Sequence, residues 1–121
     1  KEINAQFPNE KLTAIGTNAV ATAAMLKAGA RQAATGENPV IVACRKADVI
    51  IGPIGIVIAD ALFGEITPAM AVAVGQADAV RILLPMNKCE NLVAGVASPN
   101  TASLIADAMA KLKGVLESQR R

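Results

Sequence analysis

Apolar positions along this chain switch several times between strand-like alternation and the three-to-four-residue spacing of a helix, which predicts repeating βα units. Residues 2–6 read as the end of a helix stopped by Pro8 and Asn9, and 12–16 (LTAIG) as a strand. Thr17 or Asn18 then caps a helix running through Ala28 and closed by Gly29, with Val20, Ala24, Met25 and Ala28 forming its apolar pattern. Asn38 ahead of Pro39 marks another helix start, with Pro39 at the first helical position and Arg45 and Lys46 in the last turn. The intervening VIVAC is rich in β-branched residues and suits a strand as well; the helix is the preferred reading.

The most informative stretch is 48–55 (DVIIGPIG), a short buried strand ending at a turn of Gly52, Pro53 and Gly55. A helix is expected from Ile54 or Gly55 to Phe63, ended by Gly64. Thr67 and Pro68 start the next, through Gly75 or Ala77; it is apolar all round, so it should lie deep in the fold or against another subunit. A strand at 79–84 ends at Pro85, and 91–96 (NLVAGV) reads as a last strand. Ser98, Pro99 and Asn100 open the longest helix, to about Ser118, with Leu104, Ile105, Ala108, Met109, Leu112, Val115 and Leu116 on one face. No repeat, linker or low-complexity tract interrupts the pattern, so residues 1–121 are expected to form a single α/β domain.

Composition narrows the chemistry. The chain is 53% hydrophobic and 18% charged, which is rich for a small monomer and favours a homo-oligomer. The apolar run 49–63 is about fifteen residues against the roughly twenty a membrane helix needs, and it contains Pro53 and Asp60, so no membrane span is expected. The polar N-terminus lacks the apolar segment of a secretory signal, and Cys44 and Cys89 form no close-spaced pair, which points to a reducing compartment and to the cytoplasm by default. A net charge of +2 and only two aromatic residues, Phe7 and Phe63, argue against nucleic acid; Lys111, Lys113, Arg120 and Arg121 instead suit the end of the last helix. The absence of histidine excludes Ser-His-Asp and Cys-His catalysis within the chain, and any His-bearing zinc site.

The chain starts in the tail of a helix, whereas the first strand of a doubly wound sheet is central and its following turn binds phosphate. A strand, a turn and most of a helix are therefore expected ahead of Lys1. The segments IGTNAVATAAMLKAGA at 15–30, ADVIIGPIGIVIADALFGEITPAMAVAVG at 47–75 and PMNKCENLVAGV at 85–96 resemble a family of small bacterial proteins of unknown function. That resemblance implies a three-layer Rossmann-like α/β domain with a mostly parallel sheet, and an N-terminal strand with a glycine-rich turn that this sequence does not contain. It implies no activity and no cofactor.

Ligands of such folds sit outside the carboxyl ends of the strands, which makes the strand ends the candidate site. Thr17 and Asn18 offer a hydroxyl and an amide, as caps or ligand contacts. Gly52, Pro53 and Gly55 offer approachable backbone beside a helix start, or simply a turn. Asn87, Lys88, Cys89 and Glu90 form the densest polar cluster, in which Lys88 suits a phosphate or carboxylate; a solvated loop explains the same residues. Asp60 and Glu65 are the best carboxylates for a metal or proton transfer, though a solvated face accounts for both, and no metal site is assigned. Two functions fit: binding of a nucleotide or other phosphorylated metabolite, or a noncatalytic homo-oligomeric structural or regulatory protein whose alanine-rich helices form the interface.

Overall fold

The computed structural model describes residues 1–86, 91–96 and 100–119. It is a mixed α/β structure of short parallel strand pairs and five α-helices among the described residues. In chain order these are α1 (Glu2–Gln6), β1 (Ala14–Gly16), α2 (Ala19–Lys27), β2 (Ala33–Thr35), α3 (Glu37–Cys44), β3 (Val49–Pro53), α4 (Pro68–Gln76), β4 (Val80–Leu84) and α5 (Thr101–Gln119), with a 3-10 turn over Ile54–Val57. β1 pairs with β2 in register Ala14 to Ala33, and β3 with β4 in register Val49 to Val80. Parallel neighbours cannot be joined by a hairpin, so α2 carries the chain from β1 to β2, and the 3-10 turn, a loop and α4 carry it from β3 to β4.

Two apolar clusters hold these elements. In the first, Ile82 and Leu84 of β4 pack on Ala108, Met109 and Leu112 of α5, joined by Val49 and Ile51 of β3 and by Ile3 and Phe7 of α1 and its exit. In the second, Ala61, Ile66, Met70 and Ala71 gather Val40 of α3 with Ile56 and Ile58. The five-residue α1 is too short to persist alone and depends on this packing and on the Asn4 amide, which donates to the Gly29 carbonyl at 2.8 Å beside the end of α2. The apolar face expected on the last helix is the one α5 buries.

Several elements depart from the sequence pattern. Residues 33–35, unassigned from sequence, form β2; three residues carry too little alternation to stand out, and the strand exists through pairing with β1. α3 confirms the helix over VIVAC but begins at Glu37 after Gly36, not at Asn38. The helix expected to Phe63 is replaced by the 3-10 turn and a loop in which Asp60, Leu62 and Phe63 take left-handed backbone with φ of 67, 57 and 55°, each costing roughly 1–2 kcal/mol for a residue with a Cβ. α4 is buried only along Met70, Ala71 and Val74, and its Val72 is 52% exposed, so it is not enclosed on all sides. Residues 91–96 form no strand; Leu92 is 96% exposed and Gly95 occupies a left-handed turn. Asn100 does cap the last helix, accepting from the Ser103 backbone N–H at 2.8 Å, whereas Ser98, Pro99, Arg120 and Arg121 lie outside the described residues.

Ile66, 2% exposed, joins the loop to the second cluster. Ile66→Ala is expected to destabilise the protein by about 2–5 kcal/mol in urea denaturation, and Leu92→Ala by less than about 0.5 kcal/mol. Equal effects would contradict this packing.

Candidate functional site

The site is built where strands end and helices begin. β1 stops at Gly16, where a Cβ would lie 2.2 Å from Thr22 Oγ1 and 2.6 Å from the Thr22 backbone nitrogen, so only glycine lets α2 start so close to the strand. Asn18 is extended, and its side chain accepts from the Ala21 N–H at 2.8 Å, satisfying one of the free donors of the first turn. The buried Thr22 hydroxyl approaches the Asn18 carbonyl at 3.1 Å and shares a 2.7 Å hydrogen bond with the Thr35 hydroxyl of β2. The first turn of α2 is thereby tied to β2. At the end of β2, Gly36 has φ of 101°, a left-handed conformation that lets α3 start at once, and its N–H donates to the Gly16 carbonyl at 2.9 Å.

The loop after β3 meets this corner. Its base is closed by two backbone hydrogen bonds, Asp60 N–H to the Ile66 carbonyl at 2.7 Å and Ile66 N–H to the Ala61 carbonyl at 3.1 Å, with Ala61 and Ile66 buried. Glu65, just before that anchor, reaches across 48 residues of sequence to accept from the Thr17 hydroxyl at 2.6 Å, and its two carboxylate oxygens lie 3.1 and 3.2 Å from the Asn18 amide nitrogen. Thr67 caps α4 by accepting from the Met70 N–H at 3.2 Å, and its hydroxyl donates to the Glu37 carboxylate at the start of α3. Two hydroxyl–carboxylate bridges thus join the turns after β1 and β2 to the segment after β3.

The Thr17 hydroxyl, and after it the Asn18 amide, hold the Glu65 carboxyl below the usual carboxylate range, against a slight upward push from desolvation. Glu65 is therefore an anion and an acceptor here, not a proton donor near neutrality. Burial pushes the Cys44 thiol up, which leaves it a poor nucleophile. Among the described residues no three His, Cys, Asp or Glu side chains gather as a metal site would require. What the corner can do is bind: carboxylates accept from hydroxyl groups, and backbone N–H groups at the helix starts donate to an anion.

Of the residues expected from sequence, Thr17 and Asn18 come together, with Glu65 as their partner. Gly52 and Pro53 close β3, but the would-be Cβ of Gly52 lies 2.9 Å from Ile56 Cδ1, and Gly55 is buried. The open helix start expected beside them is a four-residue 3-10 turn, because Ile56 folds back over the strand end. Asn87, Lys88, Cys89 and Glu90 lie outside the described residues. Glu37 and Thr67 stand outside the residues expected from sequence; Glu37 follows the end of β2 at Thr35 and Gly36 much as Thr17 and Asn18 follow the end of β1 at Gly16, a likeness hidden because β2 does not stand out in the sequence. An open groove of about 520 Å³ runs elsewhere, between β4 and α5, and its cations are engaged: Arg81 donates to the Ala77 carbonyl at 2.8 Å, and Lys111 pairs with Asp107.

A family model described as a domain of unknown function, DUF3842, matches residues 1–117. The chain belongs to this family. The matched span takes in both hydroxyl–carboxylate bridges. No curated protein and no solved structure matches the chain.

Because the folded-state value for Glu65 is depressed, its bridge contributes fully above the ordinary carboxylate range and is lost as pH falls through that depressed value. An NMR titration of the Glu65 carboxyl is expected to give a midpoint below that of an ordinary glutamate, and Thr17→Ala to raise it more than Asn18→Ala. A midpoint unmoved by either substitution would show that the hydroxyl and amide do not hold the carboxylate in solution.

Proposed function

We propose that this protein binds a small molecule, a nucleotide or another phosphorylated metabolite, at the carboxyl ends of its strands. The observation that carries the reading is the Glu65 bridge to Thr17 and Asn18, since it brings polar groups from two separate parallel strand pairs to one end of both. Carboxylates there suit the hydroxyls of a sugar, and the neighbouring backbone donors suit a phosphate; a nucleotide offers both. Asn87 and Lys88 belong to the proposal on their chemistry in the sequence, with Lys88 suited to neutralise the phosphate.

α1 and α5 share one apolar cluster and α3 and α4 pack at the other, which supports helices on two faces of a common, three-layer sheet. α1 packs on the β3–β4 core, and the chain then enters β1. The orders β2-β1 and β3-β4 match the two outer strand pairs of the Rossmann-like order 3-2-1-4-5. The crevice would then lie at the switch point of that sheet, where ligands of such folds bind. The free thiol of Cys44 suits a reducing compartment, the cytoplasm by default.

A homo-oligomeric, noncatalytic role has its own support in the exposed apolar side chains of α2 and α4: Val20 is 81% and Val72 52% exposed. A thermal-shift measurement against a panel of nucleotides separates the two. A rise in melting temperature with a nucleotide, reduced in Thr17→Ala and Asn18→Ala, is the expected result; a shift undiminished in Asn87→Ala and Lys88→Ala would remove those two residues from the site. No shift with any nucleotide, together with a dimer in sedimentation that Val20→Ser dissociates, would favour the oligomeric role.

A further inference from the structure

We propose that Phe63 is the contact residue for the planar ring of the bound ligand, the base of a nucleotide. The inference rests on the small-molecule reading above and adds the ring to it. The chain has two aromatic residues, and they are used in opposite ways: Phe7 packs against the α5 core, whereas Phe63 is fully exposed. That exposure is built in. Phe63 sits between Leu62, packed against the second cluster, and the left-handed Gly64, in a loop whose base is closed by the two Asp60, Ala61 and Ile66 backbone hydrogen bonds. Its own φ of 55° turns it away from that core at a conformational cost no packing contact of the ring recovers.

Its position follows from Glu65. Phe63 lies two positions before Glu65, whose carboxylate is bonded to Thr17 and Asn18, and two extended residues span at most about 7 Å, so its backbone lies close to the strand-end corner. A solvated aromatic ring carried on a backbone-closed loop beside sugar-hydroxyl acceptors offers a stacking face for a base.

The test is calorimetric titration of the whole chain with the four ribonucleoside monophosphates and with ribose 5-phosphate. At least one nucleotide is expected to bind about tenfold or more tightly than ribose 5-phosphate, Phe63→Ala to remove most of that advantage without weakening ribose 5-phosphate, and Phe63→Trp to keep it. Because the side chain is fully exposed, the urea midpoint of Phe63→Ala should match the parent, which separates lost stacking from lost folding. Nucleotide binding unchanged in Phe63→Ala would overturn the ring contact and leave the binding reading standing, and so would equal affinity for nucleotide and ribose 5-phosphate. A sedimentation shift from dimer to monomer in Phe63→Ala with nucleotide affinity unchanged would reassign the residue to self-association. Absence of binding by all five probes would overturn both readings.

Discussion

Parallel pairing is the constraint from which the rest of this structure follows. β1 and β2, and likewise β3 and β4, run in the same direction, so the chain must return along its own length between partners, and it does so mainly through helices. Each return starts at the carboxyl end of a strand. The starts of α2 and α3, the 3-10 turn and the loop leading to α4 therefore arise at the strand ends, and short polar residues collect there because free helix N–H groups need acceptors. Asn18 and Thr67 meet that need as caps, and Glu37 places a negative charge in the first turn of α3.

The same residues do a second job. Thr17, Asn18, Glu37, Glu65 and Thr67 connect segments far apart in sequence through hydrogen bonds to charged acceptors, which are stronger than neutral ones but here exposed to water. Exposed polar bridges of this kind position segments more than they stabilise them; stability resides in the two apolar clusters. The loop from Ala59 to Ile66 combines both features. Ala61 and Ile66 anchor it in a cluster, its backbone closes on itself, and Glu65 and Phe63 are left exposed.

Much of this was legible along the chain wherever local chemistry decides the outcome. Asn18 and Thr67 cap their helices through their own side chains, Gly29 ends α2 in a left-handed turn, and the periodic face of α5 buries the residues that the spacing selects. The misreadings share a cause. The segment from Ile54 to Phe63 has helical composition, yet Ile56 and Ile58 pack toward Met70 and Ala71, and the loop folds back on Ala61 and Ile66 instead of continuing a helix. The three residues of β2 and the chain at 91–96 were likewise decided by whether a partner strand lies alongside, not by their own alternation.

Sequence alone therefore determined the alternation of elements, the caps that start the helices, the exclusion of histidine chemistry and the polar residues that follow the strands, because each depends on residues within a few positions of one another. Tertiary structure decided which strand ends meet and with what partners. Glu65 reads as a solvated acid in isolation and becomes the acceptor for Thr17 and Asn18 only because the loop after β3 is anchored by Ile66 next to the turn after β1. Phe63 likewise reads as the last apolar residue of a helix and becomes an exposed ring because the backbone there turns left-handed. Contacts between segments nearly fifty residues apart depend on packing geometry, and no local pattern encodes them.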